Sequence, residues 1–181
     1  MHNGSNENAS SAQLGGAFRS SGLWWLWLSL LAVVLDQATK WWIIDAVEYG
    51  EHMPVFSWFD VTHAHNLGAA FSFLHDAGGW QRYFLTGVAL VISVLLLWWM
   101  KSTPKSNKLL GMSYSLILGG AIGNLYDRVM YGYVEDFIYV YYQSWDFPAF
   151  NIADSAISLG AILLIYDALT AKPEKPEDEV A

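Results

Sequence analysis

The sequence predicts an all-α membrane protein, a four-transmembrane-helix bundle with a small extracytoplasmic β-sheet segment. Three observations predict it. Of 181 residues, 54% are hydrophobic and only 14% charged, too apolar a balance for an ordinary soluble domain of this length. The apolar residues gather into runs at about 22–44, 83–100, 109–126 and 147–170, each near the length that crosses a ~30 Å hydrocarbon core. No repeated ten-residue alternation of apolar and polar side chains is present, so helices rather than a barrel satisfy the backbone in lipid.

Residues 1–21 are rich in Ser, Asn and Gly and are expected to form a flexible lead-in. The first run, from Leu23, resembles a signal-peptide core, but it resumes beyond Asp36 and Lys40 with Trp41, Trp42, Ile43 and Ile44 and so reads as a span. The second and third runs carry no charge, and the fourth is interrupted only by Asp154 between Phe147 and Tyr166. Trp24, Trp25, Trp41, Trp42, Trp80, Trp98 and Trp99 stand where runs begin or end, as interfacial aromatic belts do. Residues 171–181, with Glu174, Glu177, Asp178 and Glu179 beside two prolines, are expected to be a disordered tail.

Six of the nine Lys and Arg residues (Arg19, Lys101, Lys105, Lys108, Lys172, Lys175) fall on one side of this four-span frame. The positive-inside rule then places both termini and the 101–108 loop in the cytoplasm of a multi-pass inner-membrane protein. Segments 45–79 and 129–146 face outward. The first is too long for a tight connection and contains the strand-like stretch 55–63, so a small sheet on the outer membrane surface is expected. There is no cysteine, hence no disulfide, thiolate nucleophile or cysteine-bound metal. No basic patch points to nucleic acid as a partner.

Counting from the cytoplasmic end at about 1.5 Å per residue puts Asp36, Asn124 and Asp154 at similar depths of about 21, 22 and 24 Å. Ionisable groups inside a membrane are costly and mark function. The cytoplasmic halves of the same helices offer almost nothing polar beyond serines, so no ion path continues inward and a channel or proton-coupled carrier is disfavoured. A site near the outer face is implied. Gly119, Gly120 and Gly123 have the spacing of a close helix–helix contact. His63 and His65 alternate on one strand face, but two imidazoles without a third ligand make a poor metal site, so no metal or other cofactor is expected.

The segments Asp36-Gln-Ala-Thr-Lys40, Asn66-Leu-Gly-Ala-Ala-Phe71, Gly119-Gly-Ala-Ile-Gly-Asn-Leu-Tyr-Asp-Arg128, Gly132-Tyr-Val-Glu-Asp-Phe137 and Phe150-Asn-Ile-Ala-Asp-Ser155 together closely resemble the lipoprotein signal peptidases, the type II signal peptidases of bacteria. The resemblance runs from about residue 20 to 170. It implies a metal-free aspartyl endopeptidase that removes the signal peptide from diacylglyceryl-modified prolipoproteins, just before the lipidated cysteine. It further implies Asp136 and Asp154 as the catalytic pair, with Asp36, Lys40, Asn66, Gly120, Asn124, Arg128 and Asn151 around the substrate or the pair. Membrane lipids are the surrounding partners, and a monomer is expected.

Side-chain chemistry agrees with that assignment while leaving rivals. Two close carboxylates hydrolyse an amide when one accepts a proton from water and the other donates to the carbonyl oxygen. Glu135 adjoins Asp136, but in an extended segment only one of the two faces the site. Asp127 is the second rival. Bland alternatives remain: Asp127 and Arg128 pairing with neighbours to hold a helix end, and Asp36 with Lys40 as a buried ion pair anchoring the first helix. From another class, a non-enzymatic lipid-binding protein would use the same polar cluster to grip a head group.

Overall fold

The structure is a computed structural model that describes residues 20–68 and 78–170. Residues 1–19 of the expected lead-in, the tail and the Ala69–Ala70–Phe71 part of one motif lie outside the described residues. A short 3-10 turn, Gly22–Trp25, leads into α1 (Leu26–Ala46). Strands β1 (His52–Phe56) and β2 (Phe59–Asn66) follow, then α2 (Trp80–Ser102) and α3 (Lys108–Met130), strands β3 (Val134–Tyr142) and β4 (Trp145–Asp146), and α4 (Ile152–Thr170). All four helices are long and apolar enough to cross a membrane. Their exposed side chains include Leu30, Val34, Val91, Val94, Ile162 and Ile165, an outer surface suited to lipid rather than water.

Helix α3 is the hub: it packs on α4 most extensively, then on α1 and α2. Small residues permit this. A side-chain carbon at Gly120 would strike the Ala153 carbonyl and lie 2.7 Å from Ile157 Cγ1, and one at Gly123 would lie 2.6 Å from Asp36 Oδ2. The lower half of the bundle closes over Leu96, Met100 and Leu118, against which Trp25 packs. Trp25 is therefore a packing residue and not part of the expected belt, whereas Trp24, Trp41, Trp42, Trp80, Trp98 and Trp99 are exposed. Gly22 N–H donates to Thr103 O (2.7 Å) and Lys105 N–H to Ser20 O (2.9 Å), so the chain's entry into α1 and the α2–α3 loop share one end of the bundle.

The other end carries a four-stranded antiparallel sheet in the order β1-β2-β3-β4. The stretch 55–63, expected as one strand, is two strands joined by a turn at Ser57 and Trp58. Helix α3 ends where Gly132 takes φ +92°, a left-handed conformation that glycine adopts without penalty. Arg82 Nε and Nη2 donate to the carbonyls of Arg128 (2.8 Å) and Val129 (2.9 Å), satisfying acceptors that a helix end leaves free. The apolar run predicts the fourth span from Phe147, yet α4 begins only at Ile152. Pro148 disfavours helix there, and Phe150 O instead accepts from Phe137 N–H (3.0 Å) and Ile138 N–H (2.8 Å). That bridge fastens the start of α4 to β3.

Candidate active site

The bridge sets two carboxylates side by side. β3 presents Asp136, and one residue past the bridge Asn151 caps α4, its Oδ1 accepting from Asp154 N–H at 2.9 Å, the usual work of an N-cap asparagine. The Nδ2 of the same Asn151 donates to Asp136 Oδ1 at 2.7 Å. Asn66, at the end of β2, donates to Asp136 Oδ2 at 2.9 Å, and Asn124 on α3 donates to Asp154 Oδ1 at 2.8 Å. Three amides from three elements thus hold the pair. Burial, then the neighbouring Asp154 carboxylate, pushes the Asp136 carboxyl up to about 7, against the pull of Asn66 and Asn151.

Beneath this pair lies a buried ionic layer. Lys40 on α1 is 1% exposed and lies 2.8 Å from Asp36 and 2.6 Å from Asp127. It also donates to Asn124 Oδ1 at 3.2 Å. Asp36 Oδ1 accepts from Ala153 N–H at 2.9 Å, so α1, α3 and the first turn of α4 meet at one level. Asp36, Asn124 and Asp154, grouped by depth in the sequence, are joined here: Lys40 links Asp36 to Asn124, and the Asn124 amide reaches Asp154. The ion-pair readings of Asp36–Lys40 and of Asp127 describe the contacts observed, and Asp127 is thereby occupied as a counter-ion.

Gln37 is a site neighbour that sequence reasoning misses. Its Nε2 donates to Asp127 Oδ1 (2.9 Å) and approaches Asp36 Oδ2 (3.2 Å) and Gly123 O (3.3 Å). Its place inside the Asp36–Lys40 motif is the signal that could have found it. Arg128 donates to Gly68 O (3.1 Å) and Asn124 O (3.3 Å), tying the chain after β2 to α3. Gly120 lies under the first turn of α4.

Glu135 and Asp136 point to opposite faces of β3, as the strand period requires. Glu135 lies 3.2 Å from His63 Nε2 and 3.3 Å from His65 Nε2. The sequence offers the two histidines no third ligand; the structure supplies one across the strand pair. Among the described residues, these three form the group able to hold a metal ion.

Two cavities meet at Asp154. One, about 320 Å³, runs along Asn66 and the Phe147–Phe150 strip. The other, about 280 Å³, is an apolar groove between α2, α3 and α4, lined by Leu85, Val88, Ile92, Ile117 and Ile157, with Asn124 and Arg128 at its polar edge.

A helical membrane bundle with a paired-carboxylate site under a small sheet defines the class of membrane-embedded hydrolases. Residues 28–170 match the family model described as signal peptidase (SPase) II. The lipoprotein signal peptidase of Pseudoalteromonas translucida is 54% identical over 87% of this chain and 95% of its own length. That of Acinetobacter baumannii is 52% identical over 91% and 93%. A solved bacterial membrane enzyme superposes with a TM-score of 0.72 at 30% identity, covering 83% of this chain and 93% of the other. The chain belongs to the signal peptidase II family and is a membrane-embedded peptidase.

Proposed function

We propose that Asp136 and Asp154 are the catalytic pair of an aspartyl endopeptidase that removes the signal peptide from diacylglyceryl-modified bacterial prolipoproteins, cutting just before the lipidated cysteine. The observation that carries the assignment is Asn151, whose one side-chain amide binds the Asp136 carboxylate and caps the turn bearing Asp154. The two acids share one proton. The ionised carboxylate takes a proton from water as the water oxygen bonds to the scissile carbonyl carbon, and the protonated one donates to the carbonyl oxygen. Collapse of the tetrahedral intermediate breaks the C–N bond. The first acid then gives its proton to the leaving amine, and the second regains one from the diol oxygen.

Asn66 and Asn124 fix the carboxylates before substrate arrives, and such preorganisation lowers the barrier because nothing need reorient during the reaction. The apolar groove along α2, α3 and α4 suits acyl chains or the apolar segment of a signal peptide, while the strip at Phe147–Phe150 offers space on the other flank of Asp154. Residues 22–170 are the peptidase unit. Charge asymmetry supports a bacterial inner-membrane location with both termini cytoplasmic and the site near the outer face. The test is cleavage of a lipidated prolipoprotein by the purified chain in detergent. Wild type should cleave with or without EDTA, and Asp154→Asn and Asp136→Asn should not; tight binding without cleavage by wild type would favour a lipid-binding protein instead.

A further inference from the structure

The face of β3 turned away from Asp136 carries polar groups that the peptidase chemistry leaves unused. Glu135 is 3% exposed and His63 7%, and a carboxylate buried to that degree is costly unless matched. Glu135 Oε2 and His63 Nε2 both lack a hydrogen-bond partner, although they lie 3.2 Å apart. His63 Nδ1 meets Val47 O at 2.8 Å. A carbonyl only accepts, so Nδ1 carries the proton there, and in the Nδ1–H tautomer of the ring Nε2 turns its lone pair toward the carboxylate. Two lone-pair atoms facing each other in a buried site call for a positive centre between them.

We propose that His63, His65 and Glu135 bind a divalent transition-metal ion of the zinc class, which clips β2 to β3 on the side opposite the catalytic pair. The ligand atoms lie within 4.8 Å of one another. The set of two imidazoles and one carboxylate is one that zinc accepts, with an open fourth position for water. His65 pairs directly with Glu135 in the strand register, and His63, two residues earlier, shares its face. Both rings are already oriented: His63 by its Nδ1–H donation to a backbone carbonyl, the usual outer-sphere support of a metal-bound histidine, and His65 by stacking on Tyr133 with centroids 3.8 Å apart and planes at 18°. A cleft of about 600 Å³ bordered by Trp41, Asp45 and Tyr49 opens onto the three ligands, giving an ion and its water a way in. With the ion bound, the buried carboxylate is compensated and the two strands gain a cross-link. The ion touches neither Asp136 nor Asp154, so it acts on the sheet and not on the chemistry.

The test uses the full chain in detergent, free of any polyhistidine tag and stripped with chelator, titrated with Co2+ and with Zn2+. Wild type should take up one equivalent of Co2+ with the visible d–d absorption of a four-coordinate site, and Zn2+ should displace it and raise Tm. His65→Phe keeps the stack on Tyr133 and removes a ligand; it and Glu135→Gln should each weaken binding at least about tenfold, the scale on which metal sites respond to lost supports. His63→Ala serves as a third variant, and His65→Phe keeps the test decisive if His63→Ala fails to fold. Absence of Co2+ absorption in wild type would mean that no metal ion fills the place and would overturn the proposal. Binding unchanged in the variants would assign the ion to an exposed histidine such as His52 and would overturn it equally.

Discussion

Asn151 Nδ2 donates to Asp136 Oδ1 at 2.7 Å while Asn151 Oδ1 accepts from Asp154 N–H at 2.9 Å. One side chain therefore performs two separable tasks, capping α4 and aiming a carboxylate. Asn151→Ala loses both and should cost about 1 kcal/mol of stability through the cap. Turnover should fall further, by about 100-fold, the range expected when a fixed polar group at a reacting centre is removed. Asn151→Ser separates the tasks, because serine caps well but is too short to reach Asp136. Its Tm should return toward wild type while its kcat stays low. Full recovery of kcat in Asn151→Ser would reduce Asn151 to a cap.

Lys40 stands between Asp36 and Asp127 at 2.8 and 2.6 Å, all three buried. Removing one member of a buried ionic group is far more damaging than replacing the group, because an uncompensated charge is left behind. Lys40→Met should therefore lower unfolding stability in detergent by about 3–5 kcal/mol. The triple variant Lys40→Met, Asp36→Asn, Asp127→Asn should recover most of that loss, since the amide oxygen that Asp36→Asn leaves in place can still accept from Ala153 N–H. Equal stability of Lys40→Met and wild type would show the layer to be solvated and energetically neutral.

The bundle and its spans were legible in the sequence because apolar runs report directly on lipid contact, and α1 to α3 begin and end within a few residues of the runs. Depth counting likewise grouped Asp36, Asn124 and Asp154. What depends on contacts between distant segments was less legible. Strand β3 is placed by its pairing with β2 and β4 by its pairing with β3, and the late start of α4, for which Pro148 is the one local signal, is fixed by the Phe150–Ile138 bridge. The resemblance favoured Asp136 over Glu135, and the strand period allowed only one of them to face the pair. Where Glu135 pointed instead, toward His63 and His65, depended on the register of β2 against β3 and on the bulge between Val61 and Ala64.

Helix α3 approaches its neighbours through Gly120 and Gly123, and the two predict different failures. A methyl at Gly120 meets the Ala153 carbonyl and Ile157, backbone of the very turn that carries Asp154. Gly120→Ala should push α4 away from α3, costing about 1–3 kcal/mol as overpacking does and lengthening the Asn124–Asp154 contact. A methyl at Gly123 would instead crowd Asp36 Oδ2 at 2.6 Å, disturbing the Lys40 layer. Thermal unfolding and kcat measured on both should show the larger loss of kcat, relative to stability, for Gly120→Ala. The reverse order would mean that the ionic layer, and not the α3–α4 approach, sets the geometry of the pair.

Asp136 has a carboxyl raised to about 7, first by burial and second by the Asp154 carboxylate. A carboxyl raised in the folded state retains its proton to higher pH than in the unfolded chain, so its ionisation costs stability as pH rises from the ordinary value of 3.8 to about 7. The pair works with one proton, and the second ionisation removes it. The kcat/KM for lipidated substrate should therefore decline as pH rises through about 7, approaching tenfold per pH unit above it. Measuring in EDTA keeps any ion at His63, His65 and Glu135 out of the profile, and cleavage should persist there. Asn66→Ala should move the decline to higher pH, because the Asn66 amide favours the ionised carboxylate. A profile flat from about pH 6 to 9 in wild type and Asn66→Ala would separate Asp136 from the proton-bearing step.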